Sequence, residues 1–458
     1  MKISFVITNI LYTRNFFYNL MQINVLGLGY VGLTLALTLA SVGFKIVGID
    51  KDKDKVTSLQ NGVPTLYEPQ IEQLLKSGLS SGNISFVEDI QKTEEQVVYI
   101  ISVGTPIDNQ TQEPNLTNLK NVVKEVGKSI KKGDMVIVRS TVPVKTARNI
   151  IKPELENISN LKCPSDFYLA TAPERTLQGA ALKELRQLSQ IIGGVNEESV
   201  EKAAAIFNKT TKTIVKVSSL EAAELIKLLD NTYRDITISV GNMCGKICKE
   251  LDLDAREVIE SANYGYSRNK ILFPGAGVGG GCLVKDPYLL IASLKGKLEL
   301  ELVKSSRRLN DSMIGETIKL IENGFEKVGK QIEGSKILIL GFAFKGFPDT
   351  DDIRFSPTLP IVDFLKEQKG RLFGFDPVVP SKSIEGLGVK SVPDVETGEF
   401  DCVIIMNNNP KFRNIDFKKI ENKTKLPILV IDGWYLYDKK YLDTIGIKYF
   451  SIGSKQDE

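Results

Sequence analysis

The chain alternates short apolar runs with longer segments of helical spacing. Gln22-Ile-Asn-Val-Leu26 is a compact apolar run, Leu33-Thr-Leu-Ala-Leu-Thr-Leu-Ala40 is a helical stretch, and Phe44-Lys-Ile-Val-Gly-Ile49 is the next run. The alternation continues through 96–103, 134–140 and 167–172. Apolar runs of this length, bounded by Gly, Pro, Ser or Asp, are expected as strands buried in a parallel sheet. From Ser219 the period becomes helical, with Leu220, Ala223, Leu225, Ile226, Leu228 and Leu229, and no proline interrupts it through Ile247. One helix of roughly thirty residues is predicted, about 45 Å long at 1.5 Å per residue. Leu290 to Gly315 reads as helical again, with Arg307, Arg308 and Asn310 expected near a turn. Apolar runs at 335–341, 372–376, 401–406 and 427–432, with a helix over 358–367, then repeat the strand and helix alternation.

The connections between these elements carry the first chemistry. Gly27-Leu-Gly29-Tyr-Val-Gly32 joins the first strand to its helix, and Asp50 closes the second strand. In that strand–turn–helix–strand context the glycines form a dinucleotide fingerprint. Gly27 permits the tight turn, Gly29 lets a pyrophosphate approach the backbone, and Gly32 lets the helix pack on the strand. Tyr30 and Val31 open the helix whose N-terminus faces the phosphates. Asp50 is placed for the ribose hydroxyls, which favours NAD over NADP. Lys51, Lys53 and Lys55 are the neighbours that would meet a 2′-phosphate, and Lys55 is a candidate cofactor contact. Two further strand ends, Gly104-Thr105-Pro106 and Thr141-Val142-Pro143, fall where ligands bind in open parallel sheets. Turn chemistry alone is the alternative for both. A strand running into Pro173-Glu174-Arg175 puts Glu174 at the same edge. The expected fold class is α/β: two Rossmann-like parallel-sheet domains joined by a long central helix and a helical middle domain.

A second constellation lies in the middle. Phe273-Pro-Gly-Ala-Gly-Val-Gly-Gly-Gly-Cys282-Leu-Val-Lys285-Asp286-Pro287 sets a thiol at the end of a glycine loop, with a lysine and an aspartate just beyond. Glycine lets such a loop pass tightly around a ligand, and a thiol there suggests a nucleophile. The alternative is a turn before a helix starting near Asp286, with Cys282 as a small core residue. Lys227 and Asn231 are four apart on the long helix and share one face, where they are suited to a developing oxyanion. A solvated lysine beside an ordinary asparagine is the alternative.

Composition narrows the chemistry. Histidine is absent, which excludes a His-based triad and most zinc sites. Acid–base work falls to Asp, Glu, Lys, Tyr, Cys or water. Five scattered cysteines fit a reducing, cytoplasmic setting without a disulfide framework. Cys244 and Cys248, four apart in the helix, read as core rather than a metal pair, and no metal site is expected. A net charge of +3 gives little case for nucleic acid. Residues 1–21 contain no clean run of eighteen apolar residues and no small-residue cleavage site, so no membrane span is expected. They are expected as a disordered or loosely docked extension, or a misassigned start.

Taken together these residues resemble the UDP-glucose/GDP-mannose dehydrogenase family of nucleotide-sugar 6-dehydrogenases. The resemblance runs from about Gln22 to nearly the end. It rests on Gly-Tyr-Val-Gly32, Asn61-Gly62 with Pro64 and Glu68, Gly104-Thr105-Pro106, Ser140-Thr141-Val142 and Pro173-Glu174. It continues through Lys227 with Asn231, the Gly-Gly-x-Cys282-x-x-Lys285-Asp286 loop, and Lys345 with Asp352-Ile-Arg354. It implies oxidation of a UDP-hexose C6 hydroxymethyl to a carboxylate with two NAD, through a thiohemiacetal and thioester on Cys282. It implies Lys227 and Asn231 as alkoxide stabilisers, Asp286 and Thr141 as holders of the hydrolytic water, and Glu174 as a carboxylate near the sugar. Gly104, Thr105, Thr141 and Lys285 join the expected cofactor contacts. Arg175, Arg268, Phe273, Gly275, Gly279, Lys345 and Arg354 join Glu174, Lys227 and Asn231 as expected substrate contacts.

The domains implied are an extension over 1–21, an NAD-binding domain over 22–215, a central helical domain over 216–318 and a UDP-sugar-binding domain over 319–458. A homodimer or higher homo-oligomer is a family expectation. Arg268, fourteen residues before Cys282, together with Pro274-Gly-Ala-Gly-Val-Gly-Gly and Pro173-Glu-Arg with Gly179, leans towards UDP-N-acetylmannosamine or UDP-N-acetylglucosamine. Gly281 and Lys285-Asp286 lean towards UDP-glucose. A two-electron dehydrogenase of the hydroxy-acid and 6-phosphogluconate superfamily, which shares the first domain and long helix, is the further alternative.

Overall fold

A computed structural model describes residues 21–454 except 109, 397 and 425–427. Residues 1–20 of the expected extension lie outside the described residues. The chain divides into two compact units, one of residues up to Asp230 with Tyr288–Lys297, the other of Asn231–Pro287 with Leu298 onward. No described helix is long and apolar enough to cross a membrane.

The first unit is built on an eight-stranded sheet of order β3-β2-β1-β4-β5-β6-β7-β8. Its strands are β1 Gln22–Leu26, β2 Lys45–Ile49, β3 Ile84–Val87, β4 Val97–Ile101, β5 Met135–Val138, β6 Tyr168–Thr171, β7 Gln190–Gly194 and β8 Ile214–Lys216. Every residue of β4, β5 and β7 is buried, as expected of strands covered on both faces. Pairing is parallel except between β6 and β7. There Gly193 is required, because a Cβ on it would lie 2.0 Å from Ser219 O. The order reverses between β1 and β4, the switch point at which such sheets bind ligands.

The second unit carries a six-stranded parallel sheet of order β11-β10-β9-β12-β13-β14. Its strands are β9 Lys336–Leu340, β10 Arg371–Phe375, β11 Lys390–Ser391, β12 Cys402–Ile405, β13 Leu429–Asp432 and β14 Lys448–Ser451. Two apolar clusters cover its faces, one built around Ile337, Ile339, Phe342 and Ile404, the other around Leu338, Leu340, Phe400 and Val403.

The predicted long helix is Leu220–Glu250, and the unit boundary falls within it. The expected helix from Leu290 to Gly315 is corrected to two helices, Asp286–Ser293 and Glu301–Lys327. Arg307 and Asn310 are therefore mid-helix rather than near a turn, and both are buried. They read as turn residues because polar groups usually mark a surface. Here each finds a hydrogen-bond partner far away in sequence.

Candidate active site

In the first unit the fingerprint builds an open cradle at the end of β1. Gly27 has φ of 93° and a Cβ on it would meet Ser102 O at 3.0 Å. A Cβ on Gly32 would lie 1.8 Å from Gly27 O, so only glycine lets the helix Tyr30–Ser41 start this close to the strand. Gly29 has no protein atom within 4 Å of its Cβ position, which leaves the space a pyrophosphate needs. The cap residue Gly29 makes no side-chain cap bond, and the N-terminus of such a helix favours an anion. Asp50 accepts the Leu28 N–H at 2.8 Å and the Lys55 ammonium at 3.0 Å. Lys51 pairs with Asp89, and Lys53 stands 3.5 Å from Glu88. All three lysines suited to a 2′-phosphate thus have acidic neighbours, and the residues fit NAD.

The neighbouring strand ends are tied together. Thr105 Oγ1 donates to Thr141 O at 2.5 Å, and Ser140 Oγ donates to Val103 O at 2.7 Å. Beyond Thr141 the chain is held by groups distant in sequence. Val144 N–H donates to Ser293 Oγ at 2.8 Å. Glu224, on the long helix, accepts Lys145 N–H at 2.6 Å and Ala147 N–H at 2.8 Å. Glu224 is 3% exposed. Burial pushes its carboxyl up to about 7, with Glu221 adding to the rise while the two N–H donors and Arg148 oppose it.

Three residues beyond Glu224, Lys227 is also buried, which removes the solvated-lysine alternative. Its ammonium lies 3.9 Å from Glu174. One turn on, Asp230 takes Arg175 at 2.8 Å, so the Glu174-Arg175 pair lies against one side of the helix. Arg175, expected on substrate, is thus engaged by the protein. Beneath this loop Arg139 is 1% exposed and donates to Ala172 O at 3.1 Å and Gln190 Oε1 at 2.9 Å. Burial pushes its guanidinium down to about 10, opposed by the Glu174 carboxylate, so it stays charged at neutral pH. Glu68 holds the other end of the loop by accepting the Gly179 N–H at 2.7 Å.

In the second unit Cys282 is exposed at the end of its glycine loop, which removes the core-residue alternative. Its carbonyl accepts the N–H groups of Lys285 at 3.1 Å and Asp286 at 2.9 Å, starting the helix Asp286–Ser293. Asp286 is fully buried, with one oxygen taking Asn231 Nδ2 at 2.5 Å and the other the Lys285 ammonium at 2.5 Å. Lys285, expected on the cofactor, is thus placed on Asp286. Gly279 and Gly280 are needed for packing: a Cβ on Gly279 would meet Phe355 O at 2.5 Å, and one on Gly280 the Phe344 ring at 2.8 Å. Gly275 donates to Asn242 Oδ1 at 3.0 Å.

The remaining expected substrate residues spread out. Arg354 forms a two-pronged pair with Asp352, at 2.8 and 2.7 Å, and its guanidinium lies 3.6 Å from the Cβ position of Gly281. Lys345 is buried, 5.8 Å from the centre of the Phe344 ring. Phe273 stacks on Tyr435 at 5.8 Å, with Arg256 over both rings. Arg268 is exposed over Tyr266. Among the described residues no group of His, Cys, Asp and Glu could hold a metal.

Sequence reading missed Arg139, Glu224, Asp235, Asn242 and Arg307. Their signal was faint: a charge ending an apolar strand run, and polar residues at the buried phase of helices.

Residues 21–211, 221–312 and 338–439 match, in turn, the NAD binding, central and UDP binding domains of the UDP-glucose/GDP-mannose dehydrogenase family. A UDP-N-acetyl-D-mannosamine dehydrogenase of Pyrococcus horikoshii is 34% identical, covering 90% of this chain and 95% of its own. A solved structure of UDP-D-ManNAc dehydrogenase from Pyrococcus horikoshii is similar with a TM-score of 0.84 and 33% identity, covering 94% of this chain and 99% of the other. A UDP-glucose dehydrogenase structure from Pyrobaculum islandicum is similar at TM-score 0.80 and 27% identity, over 94% and 98% of the two chains. With an NAD cradle at one strand edge and an exposed thiol beside a clamped aspartate, the chain belongs to the UDP-glucose/GDP-mannose dehydrogenase family and is an NAD-dependent nucleotide-sugar 6-dehydrogenase.

Proposed function

We propose that the substrate is a UDP-N-acetylhexosamine, UDP-N-acetylmannosamine foremost, and that its C6 hydroxymethyl is oxidised to the carboxylate in two hydride steps through Cys282. The observation that carries this is the exposed Cys282 thiol one turn before Asp286, whose carboxylate is fixed by Asn231 and Lys285. NAD supplies the hydride acceptor, used twice per sugar.

Lys227 stabilises the C6 alkoxide as the hydroxyl proton leaves and the first hydride departs, giving an aldehyde. The Cys282 thiolate adds to that carbon, and its C–S bond makes a thiohemiacetal whose oxyanion Lys227 and Asn231 hold. Loss of a second hydride leaves a thioester. Asp286, with Thr141, holds a water and takes its proton as the water attacks, releasing the thiolate and the carboxylate. Per sugar, one water is consumed, two hydrides leave and three protons are released at neutral pH. Glu174, held between the Arg139 and Lys227 charges, lies on the sugar side, and the second sheet with Lys345 and Arg354 holds the UDP.

Likeness to the Pyrococcus horikoshii enzyme supports the acetamido sugar. Lys285-Asp286 after the cysteine supports UDP-glucose as the second reading. We further propose a cytoplasmic enzyme, in keeping with five cysteines that form no disulfide among the described residues. Its partner is a second copy of this chain, seated on the stripe of exposed Tyr233, Val240, Met243 and Ile247 along the long helix, with Leu251 just past its end. A panel of UDP-glucose, UDP-N-acetylglucosamine, UDP-N-acetylmannosamine and UDP-N-acetylgalactosamine, with NADH counted per sugar, tests the reading. Two NADH per acetamido sugar, and no uronate from Cys282→Ser, are expected. One NADH per substrate would replace the four-electron scheme with a two-electron dehydrogenase, and wild-type uronate formation by Cys282→Ser would remove the thiol from the route.

A further inference from the structure

Four polar side chains that this chemistry does not use are buried on two helices of the second unit. Arg307 Nη1 donates to Asp235 Oδ1 at 2.5 Å. Asn310 Nδ2 donates to the same oxygen at 2.8 Å, and Asn242 Nδ2 donates to Asn310 Oδ1 at 2.9 Å. None of the four is more than 1% exposed. Two contacts lead from this cluster to the main chain of the cysteine loop. Asn242 Oδ1 accepts the Gly275 N–H at 3.0 Å, and Arg307 Nη1 reaches Leu283 O at 3.5 Å, a long contact.

The spacing along the long helix makes this a register. Asn231, Asp235 and Asn242 are four and then seven residues apart, so they share one face. They meet the loop in reverse order: Asn231 at Asp286, Asp235 at Leu283 through Arg307, and Asn242 at Gly275. Stability alone is a poor reason to bury an arginine and an aspartate here, since desolvating such a pair offsets most of its attraction. A connected polar network instead fixes position, because each member is held in one geometry by the next. The loop it meets is rich in glycine and has few side chains of its own to define its path.

We propose that Arg307, Asp235, Asn310 and Asn242 form a positioning frame that fixes residues 275–283 against the long helix and so aims the Cys282 thiol. The role rests on Cys282 being the nucleophile. It has a specific kinetic consequence. The first hydride transfer does not use the thiol, and the second does. A loosened frame therefore damages uronate formation while sparing aldehyde formation.

The test uses the full-length enzyme with Asn242→Ala, Arg307→Lys and Arg307→Met. For Asn242→Ala and Arg307→Met, iodoacetamide alkylation of Cys282, read by peptide mass spectrometry, is expected to slow on the order of tenfold or more, together with steady-state uronate formation. First-turnover NADH and KM for the UDP-sugar are expected to stay within about threefold, with aldehyde trapped by hydrazine. Arg307→Lys, which keeps the charge, is expected to recover part of the loss. Wild-type Cys282 alkylation in both Asn242→Ala and Arg307→Met overturns the frame, as does a loss that falls equally on the first turnover. Should Asn242→Ala fail to fold, Asn242→Ser carries the same comparison. Cys282→Ser separates the two ideas: uronate formation without the thiol overturns the nucleophile, whereas an inactive Cys282→Ser beside unchanged alkylation in the frame variants overturns the frame alone.

Discussion

The two sheets of this chain start from one plan and end as different devices. Counted within its own unit, each sheet places its first six strands in the order third, second, first, fourth, fifth, sixth, and the first sheet adds two more beyond them. In each, the first strand ends at a glycine of positive φ, Gly27 at 93° and Gly341 at 94°. In each, that glycine donates to the last carbonyl of the second strand, Ile49 O or Phe375 O. An acid then takes the N–H of the residue after the glycine: Asp50 takes Leu28, and Asp376 takes Phe342.

The difference lies in the connection beyond that glycine. After Gly27 the helix begins at Tyr30, whereas after Gly341 sixteen residues pass before the helix Thr358–Glu367. The longer connection packs tightly: a Cβ on Gly346 would lie 2.0 Å from Asn409 N, whereas Gly29 faces open space. Asp376 is used up by the N–H groups of Phe342, Ala343, Val378 and Val379. Strand order and the closing acid create the crevice. The length and packing of the connection decide whether it admits a dinucleotide.

Substitutions that separate the two crevices test this. Asp376→Ala strands four N–H groups and is expected to cost about 3–5 kcal/mol of stability by urea unfolding, with KM for NAD unchanged in the folded fraction. Gly29→Ala is the mirror case. It is expected to leave Tm within about 2 °C yet weaken NAD on the order of a hundredfold by calorimetry, about 2.7 kcal/mol. Intact NAD binding in Gly29→Ala would break the comparison.

Acids from different distances hold the ligand edges, and this too can be measured. Asp432 takes the N–H groups of Trp434, Leu436 and Tyr437 from its own turn, whereas Glu224 reaches back to Lys145 and Ala147. Burial pushes the Glu224 carboxyl up to about 7 in the folded state, from an ordinary glutamate value of 4.5. Between those values the folded state holds the extra proton, so the stabilisation is full below about 4.5 and is lost as pH rises through about 7. The change is on the order of 3 kcal/mol. Glu224→Gln is expected to flatten this fall in urea midpoints between pH 5 and 8, and an unchanged slope would remove Glu224 as its source.

Asp50→Asn is expected to weaken NAD about tenfold, roughly 1.4 kcal/mol, with a smaller loss for NADP. The smallest effect belongs to the exposed Lys53, 3.5 Å from Glu88. Lys53→Ala is expected to shift stability by less than about 0.5 kcal/mol and to leave the NAD to NADP ratio alone.

By itself the sequence determined the periodic elements, the dinucleotide fingerprint with Asp50, the long helix and the cysteine loop, because each depends on residues a few positions apart. Gly27, Gly29 and Gly32 announce their roles through backbone geometry that neighbours set. Tertiary structure decided the rest. It reversed β7, consumed Asp376 in its own loop, set Lys285 on Asp286, and joined Arg307 to Asp235 across 72 residues and Glu224 to Ala147 across 77. The physical reason is that a buried polar group must find a partner wherever the fold supplies one, and local period carries no record of where that is.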